Sequence, residues 1–566
     1  MQPFELFRNE AIAAIEEAIS TLYGIPFEKK ELEKPPEEMG DIAFPCFSLA
    51  KFLKKNPSEI AKEIFLAIQK KEKKWISRVE CKGGYVNFFI NEQKLAEFVI
   101  KDIIEKKDEY GSLPSKNKKV IVEHTSANPN GPLHVGRARN PIIGDTLARI
   151  LKFAGYDVET QFYVDDMGKQ VATLFWGVKN LDIEIRGEKD DHKLVPFYQE
   201  ASRLLEKDEK VKEEIEEIIR KCEAGDEKIL KEIRKVYEKV LNGMMQSLHM
   251  LNISIDTFVT ESRFVLDGSV KNVIEKLKKT EFANVEENAI YLDVEHFGIH
   301  GRNKKFFLTR RDGTSLYATR DIAYHIWKGK QADMLVNILG EDHKLEAKLV
   351  EIALNLLGEK IPTVVFYSFV SLPEGKMSTR KGRVVYLDDL IEEAIERAYQ
   401  EVKKRRDLDE KKARYISQKV GIGAIRYNII KVKPEKAIVF TWEDALNFEG
   451  QSAPFIQYAH ARCCSILKKA EGAKVQSFSY EHVQEKALIK TISLFPEVVK
   501  ECAESYNPSI LAEYAHSLAA SFNAFYRDCR VLGGEREKER LALVYATKCV
   551  LKNALTLLGI EALEEM

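Results

Sequence analysis

Two short segments of the chain combine residue types that bind phosphate groups. The first, residues 128–137, reads Asn-Pro-Asn-Gly-Pro-Leu-His-Val-Gly-Arg and separates a run of strand formers from a predicted helix. A helix N-terminus presents unpaired N–H groups and the positive end of its dipole to an anion. His134 and Arg137 add donors there, and Gly136 lets the backbone approach a base or ribose closely. The segment indicates a nucleotide site, and an ordinary strand-to-helix turn with a surface His and Arg is an equally good interpretation.

The second segment, residues 374–382, reads Glu-Gly-Lys-Met-Ser-Thr-Arg-Lys-Gly. Its two glycines indicate a mobile loop, and Lys376, Arg380 and Lys381 place three cations within six residues. Such a loop can close over phosphates and stabilise the charge on a leaving pyrophosphate. Taken alone, the segment fits a solvated basic turn better.

The elements around the first segment predict a parallel sheet. Residues 120–122 form a short buried strand, the next helix carries apolar residues at helical spacing, and residues 158–164 form a second strand. This order makes a βαβ unit, whose loop lies where parallel sheets bind ligands. Further strands are expected at residues 305–310, 335–339 and 363–369, extending the same sheet.

Periodicity and composition divide the chain into four segments. An α+β N-terminal domain is expected over residues 1–112, followed by an α/β Rossmann-like parallel-sheet domain over 113–385. A Glu- and Lys-rich stretch within the second predicts a helical insertion at about 175–300. Connecting helices follow over 386–445, and an all-α C-terminal bundle over 446–566. The predicted architecture is therefore multidomain.

Composition limits the partners of the protein. Lys plus Arg number 88 and Asp plus Glu 89, so the net charge of −1 argues against a protein that coats DNA or a membrane. No apolar run approaches the roughly 18 residues of a membrane helix. The eight cysteines include no Cys-x-x-Cys pair, which disfavours a zinc site or a disulfide framework. We expect a cytoplasmic protein with reduced thiols and no zinc, and the Lys- and Glu-rich composition is typical of thermophiles.

Together, the two segments resemble the signature sequences of class I aminoacyl-tRNA synthetases, His-x-Gly-His and Lys-Met-Ser-Lys-Ser, in the expected order. Residues 122–129 and 311–325 are similar to the arginyl-tRNA synthetase family. Residues 40–43 and 84–88 resemble its additional N-terminal domain, and residues 450–462 resemble the start of its anticodon-binding helices. Because the resemblance covers nearly the whole chain, the sequence is identified as a member of this family, with a thermophilic archaeon as its expected source.

The resemblance implies three catalytic residues, His134, Arg137 and Lys376. The ATP-binding set that it implies comprises His134, Gly136, Arg137, Lys376, Met377 and Ser378. The chain departs from the pattern in both signatures. Arg137 replaces the second histidine of the first signature, and its guanidinium is longer, permanently charged and able to bind phosphate bidentately. Thr379 and Arg380 replace the usual Lys-Ser of the second signature.

A pocket for free arginine must satisfy a planar guanidinium with five donors, so it needs carboxylates and a phenol or aromatic face. Glu123 at a strand end, with Tyr317 and Asp321 after a turn, supplies that set. The resemblance implies the same three positions, and it places Ser126 and Asn128 at the α-amino end of the substrate. It also implies a contact from His343, in a loop where related enzymes place a glutamine-like group. For Asp321, the sequence fits a helix N-cap as well.

The C-terminal helices carry candidates for stacking on bases and binding phosphates. The tRNA contacts expected there are Tyr458, Arg462, Arg527, Arg530 and Met566. The helical spacing of Phe522, Phe525 and Tyr526 favours core packing instead. A frayed chain end is the ordinary interpretation of Met566.

The implied function is ATP-dependent activation of L-arginine to arginyl-adenylate, followed by transfer to the terminal ribose of the tRNA specific for arginine. The implied cofactor is ATP with Mg²⁺, the partners are arginine and that tRNA, and the implied form is a monomer. The resemblance further implies that adenylate formation requires bound tRNA. Two alternatives stay open. One is a class I synthetase for another amino acid, against which Glu123, Tyr317 and Asp321 argue, and the other is a catalytically impaired synthetase-like tRNA-binding protein, which Arg137 permits.

Overall fold

The computed structural model describes residues 3–25, 32–69, 72–185, 188–371, 385–470 and 478–566. Its strands, in chain order, are β1 (Ile42–Pro45), β2 (Ile76–Lys82), β3 (Tyr85–Ile90), β4 (Lys119–Glu123), β5 (Asp157–Val164), β6 (Thr257–Thr260), β7 (Ala283–Glu286), β8 (Ala289–Asp293), β9 (Lys305–Phe307), β10 (Met334–Gly340), β11 (Thr363–Tyr367), β12 (Val370–Ser371) and β13 (Ile438–Val439).

The helices are numbered in the same way and fall into two groups, one before and one after residue 371. Those before it are α1 (Pro3–Tyr23), α2 (Phe47–Leu53), α3 (Pro57–Gln69), α4 (Glu92–Lys106), α5 (Arg139–Phe153), α6 (Lys169–Asn180), α7 (Asp190–Lys207), α8 (Glu209–Glu223), α9 (Glu227–Met250), α10 (Ser262–Leu266), α11 (Ser269–Leu277), α12 (Tyr317–Gly329) and α13 (Lys344–Leu356). Those after it are α14 (Leu387–Arg405), α15 (Glu410–Ile430), α16 (Trp442–Ala445), α17 (Ala453–Lys469), α18 (Val483–Ser493), α19 (Phe495–Ser505), α20 (Ser509–Asp528) and α21 (Glu537–Leu557).

An antiparallel sheet of order β1-β3-β2 organises the N-terminal region, and α1 and α3 pack beside it. Apolar residues recur at helical spacing along α1, so one stripe of the helix is buried. The region also contacts the C-terminal helices. Lys490 pairs with Asp41 at 3.1 Å, and the Asn553 side chain donates to the carbonyl of Tyr110 at 3.0 Å.

A five-stranded parallel sheet of order β11-β10-β4-β5-β6 forms the centre of the molecule. Its central strands β4 and β10 are short, mostly buried apolar runs, as expected where helices cover both faces of a sheet. The strand order reverses beside β4, so the loops after β4 and β10 diverge and leave a crevice at the carboxyl edge. Residues that follow these strands, including Asp165, Glu261 and Glu341, therefore come to one edge of the sheet.

Two expectations about the sheets differ from the structure. Residues 305–310 were expected to extend the parallel sheet, but β9 lies in a separate antiparallel sheet of order β7-β8-β9. Conversely, β6 lies within the segment expected to be helical and pairs with β5 as the edge strand of the parallel sheet. A four-residue strand is too short to show a periodicity in sequence, whereas its pairing partner is apparent only in three dimensions.

The described part of the chain after residue 385 is almost entirely helical, as predicted. The buried guanidinium of Arg426 on α15 attaches this helical part to the sheet domain, because it donates to the Asp145 carboxylate on α5 at 2.6 Å. Phe522 and Phe525 are buried between the C-terminal helices, as their spacing predicted.

Within the described ranges, no helix combines the length and the apolar character that crossing a membrane requires.

Candidate active site

His134 lies in the loop between β4 and α5, at the start of a short 3₁₀ turn. Its Nδ1 accepts a hydrogen bond from the backbone N–H of Gly136 at 2.9 Å. Because Nδ1 is the acceptor, the proton of the neutral ring resides on Nε2. Burial and the nearby charge of Arg137 lower the pKa of His134, which keeps the ring neutral near pH 7. The geometry therefore makes His134 a neutral donor at the mouth of the crevice.

Arg137 is exposed one turn further along the same loop. Its charge acts on His134 and on His343, which follows β10 on the other side of the crevice. A cation between these two loops suits an anionic ligand that lies across the switch point of the sheet. Gly136, by contrast, is buried.

The sequence placed Lys376, Met377 and Ser378 in the second signature, and these residues lie outside the described residues. The chain on either side of residues 372–384 lies beside the first signature. Val135 N–H donates to the Val385 carbonyl at 3.1 Å, and Leu387 N–H donates to the Leu133 carbonyl at 2.8 Å. Before the segment, β12 packs against the turn that contains Gly136. The residues that flank the second signature therefore lie beside the first.

A polar cluster joins the first turn of α14 to the insertion. Asp388 accepts from Lys189 Nζ, His192 Nε2 and Ser247 Oγ, each at 2.7 Å. Asp191, His192 and Asp388 have the residue types and spacing of a metal site among the described residues. However, the Lys189 ammonium also lies 3.4 Å from Asp191 and already supplies the positive charge, so we assign no metal to the cluster.

The chain leaves β4 through two non-glycine residues with positive φ, Thr125 at 72° and Ser126 at 36°. The Asn140 side chain on α5 supports this turn, because its Oδ1 accepts from Thr125 N–H at 2.6 Å. The turn directs the Ser126 hydroxyl between β4 and β5. This hydroxyl donates to Glu123 at 3.1 Å and accepts from Tyr163 N–H at 3.1 Å. Such a strained turn beside a sheet edge is typical of functional sites.

Asn128 lies further along the loop, and the side chain of Gln170 on α6 determines its orientation. Its Nδ2 donates to Gln170 Oε1 at 3.0 Å, and Asn130 donates to the same oxygen at 2.9 Å. With the amide nitrogen engaged, Oδ1 is the group that Asn128 can offer to a ligand ammonium.

Glu123 is buried at the base of the crevice and has specific partners. Its Oε2 accepts from Lys328 Nζ at 2.6 Å, and Lys328 is fully buried. Its Oε1 is the acceptor for Ser126. The expected direct contact between Glu123 and a guanidinium would therefore compete with an existing ion pair.

Tyr317 and Asp321 lie one turn apart on α12. The helix begins at Tyr317, with Leu316 as its N-cap, so the N-cap interpretation of Asp321 is wrong. Burial raises the pKa of Asp321, but His325, Lys328 and His343 together bring it below its ordinary value. Tyr317 is exposed at the entrance, where the charge of Glu346 raises its pKa.

Two further carboxylates surround Tyr163 together with Asp321. The charges of Glu261, Asp321 and Asp165 add to burial in raising the pKa of Tyr163. Burial and the nearby Asp165 raise the pKa of Glu261 well above its usual range, although Arg320 donates to it at 2.8 Å. Clustered carboxylates of this kind favour a cationic ligand.

Sequence reasoning missed Asp165, Glu261 and Tyr163. Asp165 directly follows a strand that was predicted, so its place at the sheet edge was a readable signal. Glu261 follows β6, which was not recognised as part of the sheet, so the sequence carried no comparable signal for it.

His343 lies at the end of the 3₁₀ turn after β10 and is exposed. Its Nδ1 lies 3.1 Å from Glu346, and the hydrogen bond with this carboxylate raises the pKa of His343. Because Glu346 also acts on Tyr317, His343 and Tyr317 belong to the same entrance.

The residues expected to contact tRNA line a groove between the C-terminal helices. Arg462 lies between two rings, 4.7 Å from the centroid of Tyr458 and 5.1 Å from that of Tyr526. Tyr526 is 42% exposed, so its expected core position is wrong. A cavity of about 790 Å³ is lined by Arg462, Tyr458, Tyr526 and Met566, among others. Met566 is buried rather than frayed.

The groove continues into a second cavity of about 660 Å³. Its lining includes Arg462, Lys469, Arg527 and Arg530. Of these, Arg527 also pairs with Asp528 at 2.7 Å. Aromatic faces beside several cations are typical of a surface that binds single-stranded nucleic acid.

Comparison with known families accounts for most of the chain. The family described as "tRNA synthetases class I (R), catalytic domain" matches residues 99–442. The "Arginyl tRNA synthetase N terminal domain" matches residues 9–90, and the "DALR anticodon binding domain" matches residues 456–566.

Individual proteins are similar over the same extent. An arginine–tRNA ligase of Methanocella arvoryzae is 50% identical over 528 residues, which is 92% of each chain. One from Methanothermobacter thermautotrophicus is 45% identical, and all of both chains is covered. The solved arginyl-tRNA synthetase of Thermus thermophilus is 30% identical with a TM-score of 0.83, covering 99% of this chain and all of the other.

Proposed function

The chain belongs to the arginyl-tRNA synthetase family and is a ligase that forms aminoacyl-tRNA, and on this premise we propose how its residues perform the reaction. The overall reaction is ATP-dependent activation of L-arginine, followed by transfer to the terminal ribose of the tRNA specific for arginine. The observation that carries the proposal is that the acidic pocket around Tyr163 and the neutral donor His134 lie along the same edge of one sheet.

The guanidinium of arginine binds among the carboxylates around Tyr163. Asp321 is its principal partner, because the pKa of Asp321 lies below its ordinary value and the side chain is therefore ionised. Glu261, which is already bonded to Arg320, lies beside this pocket, and Tyr317 adds an aromatic face at the entrance. Glu123 lies at the base of this pocket and forms an ion pair with Lys328.

The α-amino end of the substrate lies near the β4 loop. Asn128 offers Oδ1 to the ammonium group, and the hydroxyl of Ser126 lies beside it on the same loop. His343 closes the pocket from the β10 side. This arrangement directs the substrate carboxylate towards the first signature.

In the first step, a carboxylate oxygen of arginine attacks the α-phosphorus of ATP. A new P–O bond forms as the bond to the bridging oxygen breaks, and pyrophosphate leaves with the electron pair. His134 donates from Nε2 to the developing negative charge, and Arg137 and Lys376 contribute positive charge to the phosphates. Gly136 and the backbone at the start of α5 lie against the nucleotide, and Met377 and Ser378 complete its site. Catalysis then rests on positioning and charge stabilisation, without a covalent enzyme intermediate.

Mg²⁺ accompanies the phosphates of ATP in this proposal. We assign it no protein ligand, because the cluster with metal-like spacing in the described chain holds the Lys189 ammonium.

In the second step, a hydroxyl of the terminal ribose attacks the carbonyl carbon of the adenylate, and AMP leaves.

The tRNA binds along the groove of the C-terminal helices. We propose that Tyr458 and Arg462 stack on bases there, whereas Arg527 and Arg530 bind phosphate groups. Met566 forms part of the groove wall. In this scheme the segments 1–112 and 446–566 hold the tRNA while 113–385 performs the chemistry, and one monomer supplies every group.

Arginine-dependent exchange of pyrophosphate into ATP, measured with and without tRNA, tests the proposal. We expect exchange with arginine, with tRNA required, and none with lysine. Asp321→Ala should raise the Michaelis constant for arginine strongly and leave tRNA binding unchanged, whereas Asp312→Asn, in the exposed turn nearby, should be neutral. Absence of exchange under both conditions would favour the impaired tRNA-binding protein.

A further inference from the structure

A continuous chain of buried hydrogen bonds connects Lys328 to Asp321. Lys328 Nζ donates to Glu123 at 2.6 Å and to Asn337 Oδ1 at 2.8 Å. Asn337 Nδ2 lies 2.8 Å from His325 Nε2. On the other side of the ring, His325 Nδ1 lies 2.8 Å from the backbone carbonyl of Asp321 and 3.2 Å from its Oδ1. Lys328, Asn337 and His325 are all at most 3% exposed.

The donor and acceptor types along this chain permit only one arrangement of protons. An ammonium can only donate, so the oxygen of the Asn337 amide faces Lys328 and its nitrogen faces His325. An amide nitrogen also only donates, so His325 Nε2 is the acceptor and carries no proton. The proton of the ring therefore resides on Nδ1, where the carbonyl and the carboxylate of Asp321 accept it. A second proton on Nε2 would point directly at the amide N–H.

We propose that His325 and Asn337 are positioning residues that keep the Asp321 carboxylate oriented and ionised for the guanidinium of arginine, through the single ring tautomer that Lys328 imposes. This inference rests on the proposed function, because it requires arginine to bind at Asp321. Neither residue touches the substrate. They act on selectivity, since an ionised Asp321 favours a guanidinium over a neutral ureido group of the same shape.

The surroundings of Asp321 explain why such support is needed. Burial alone raises the pKa of this carboxyl, and neither Tyr163 on β5 nor Glu261, which follows β6, contributes positive charge. The hydrogen bond from His325 lowers the pKa, and the charges of Lys328 on the same helix and of His343 from the β10 side lower it further. Tyr324, which also faces Asp321, has a strongly raised pKa from burial and stays neutral. Of these groups, His325 is in direct contact.

A purely structural role for the chain is the alternative. The network would then only satisfy buried polar groups, and breaking it would reduce folding stability without a specific effect on arginine. Two substitutions at residue 325 distinguish these roles because each retains one half of the imidazole.

His325→Asn places an amide nitrogen near the position of Nδ1, so it retains the donor to Asp321 and loses the contact with Asn337. His325→Gln places its amide near Nε2, so it retains the contact with Asn337 and loses the donor to Asp321. Both variants remove one buried hydrogen bond, so their effects on thermal unfolding should be similar. The experiment measures tRNA-dependent pyrophosphate exchange by each variant as a function of arginine, ATP and pH.

We expect His325→Gln to raise the Michaelis constant for arginine about tenfold, the scale of one hydrogen bond to a charged group, with that for ATP changed less than twofold. The acid limb of kcat/KM for arginine should move to higher pH, since loss of the donor raises the pKa of Asp321. Discrimination against citrulline should weaken in parallel. His325→Asn should remain within about threefold of the unmodified enzyme in all three respects.

Equal effects of the two variants, or equal effects on arginine and ATP, would overturn the proposal in favour of the structural role. A direct check uses the unmodified protein labelled with ¹⁵N-histidine. The His325 resonance is the one that disappears in either variant, and it should show a neutral ring with its proton on Nδ1. An Nε2–H tautomer or an imidazolium would refute the inference even if a variant fails to fold. Absence of exchange by the unmodified protein would refute the proposed function itself.

Discussion

The guanidinium of Arg426 lies 2.6 Å from the Asp145 carboxylate, and both side chains are shielded from solvent. Arg426 also donates to the backbone carbonyls of Leu251 and Leu558, each at 2.8 Å. One buried cation therefore joins α5, which begins just after His134, to the end of α9 and to the end of α21. Carbonyls at helix C-termini lack intrahelical donors, so Arg426 satisfies groups that would otherwise be unpaired.

Arg426→Met should strongly destabilise the protein, because it leaves the Asp145 carboxylate buried with less positive charge and several carbonyls without donors. The expected loss is about 3 kcal/mol or more in the free energy of unfolding. Urea denaturation measures it. Arg149→Met is the matched control, since Arg149 binds the same carboxylate at 2.8 Å from a partly exposed position and should cost about 1 kcal/mol. Equal losses would contradict the special role of the buried cation.

His134→Asn should separate the capping role of this residue from its catalytic role. An asparagine oxygen can still accept from Gly136 N–H, so we expect a melting temperature close to that of the unmodified protein. The Nε2 donor is lost, and the rate of adenylate formation should fall by roughly a hundredfold. Single-turnover kinetics with saturating arginine and ATP measure this rate. An unchanged rate would show that Nε2 does not reach the reacting phosphate.

Asp388→Asn should remove a pH-dependent contribution to stability. Burial raises the pKa of Asp388, but its bonds with His192, Lys189 and Ser247 lower it to about 2. A depressed carboxyl pKa stabilises the folded state above the unfolded pKa of about 3.9, and the contribution disappears as the pH falls towards 2. It amounts to about 2 kcal/mol near pH 6.

The pKa of His192 moves in the opposite direction, because its hydrogen bond to Asp388 raises it. Its contribution is present below the ordinary value near 6.5 and disappears as the pH rises through the raised pKa. The unfolding temperatures of the unmodified protein and of Asp388→Asn, measured between pH 3 and 9, should therefore differ most between about pH 5 and 6.5. A difference that does not vary with pH would mean that the cluster contributes through packing alone.

Arg462→Met should weaken tRNA binding and leave arginine activation intact at saturating tRNA. The guanidinium lies between Tyr458 and Tyr526, so its loss removes both a phosphate-binding cation and the support of two stacking surfaces. We expect the dissociation constant for tRNA to rise about tenfold, with a smaller dependence on salt. Filter binding at several salt concentrations tests this. Arg414→Met, at an exposed ion pair with Glu410, serves as the control.

Several features of the fold and the site were predictable because they depend on neighbours in the chain. The strand, loop and helix around His134 follow from apolar periodicity and turn residues. The helical character of the C-terminal part was equally clear. The role of each site residue stays a prediction, and those of Lys376, Met377 and Ser378 rest on sequence alone.

Other features depend on residues that are distant in the chain. Glu123 and Lys328 are 205 positions apart, and only the pairing of β4 with β10 and the packing of α12 bring them together. The same packing determines the tautomer of His325, and the pairing of β6 with β5 brings Glu261 to the edge of the sheet. Local sequence therefore determined which groups can perform the chemistry. Tertiary structure decided their partners and protonation, because burial and charge depend on which distant segments pack together.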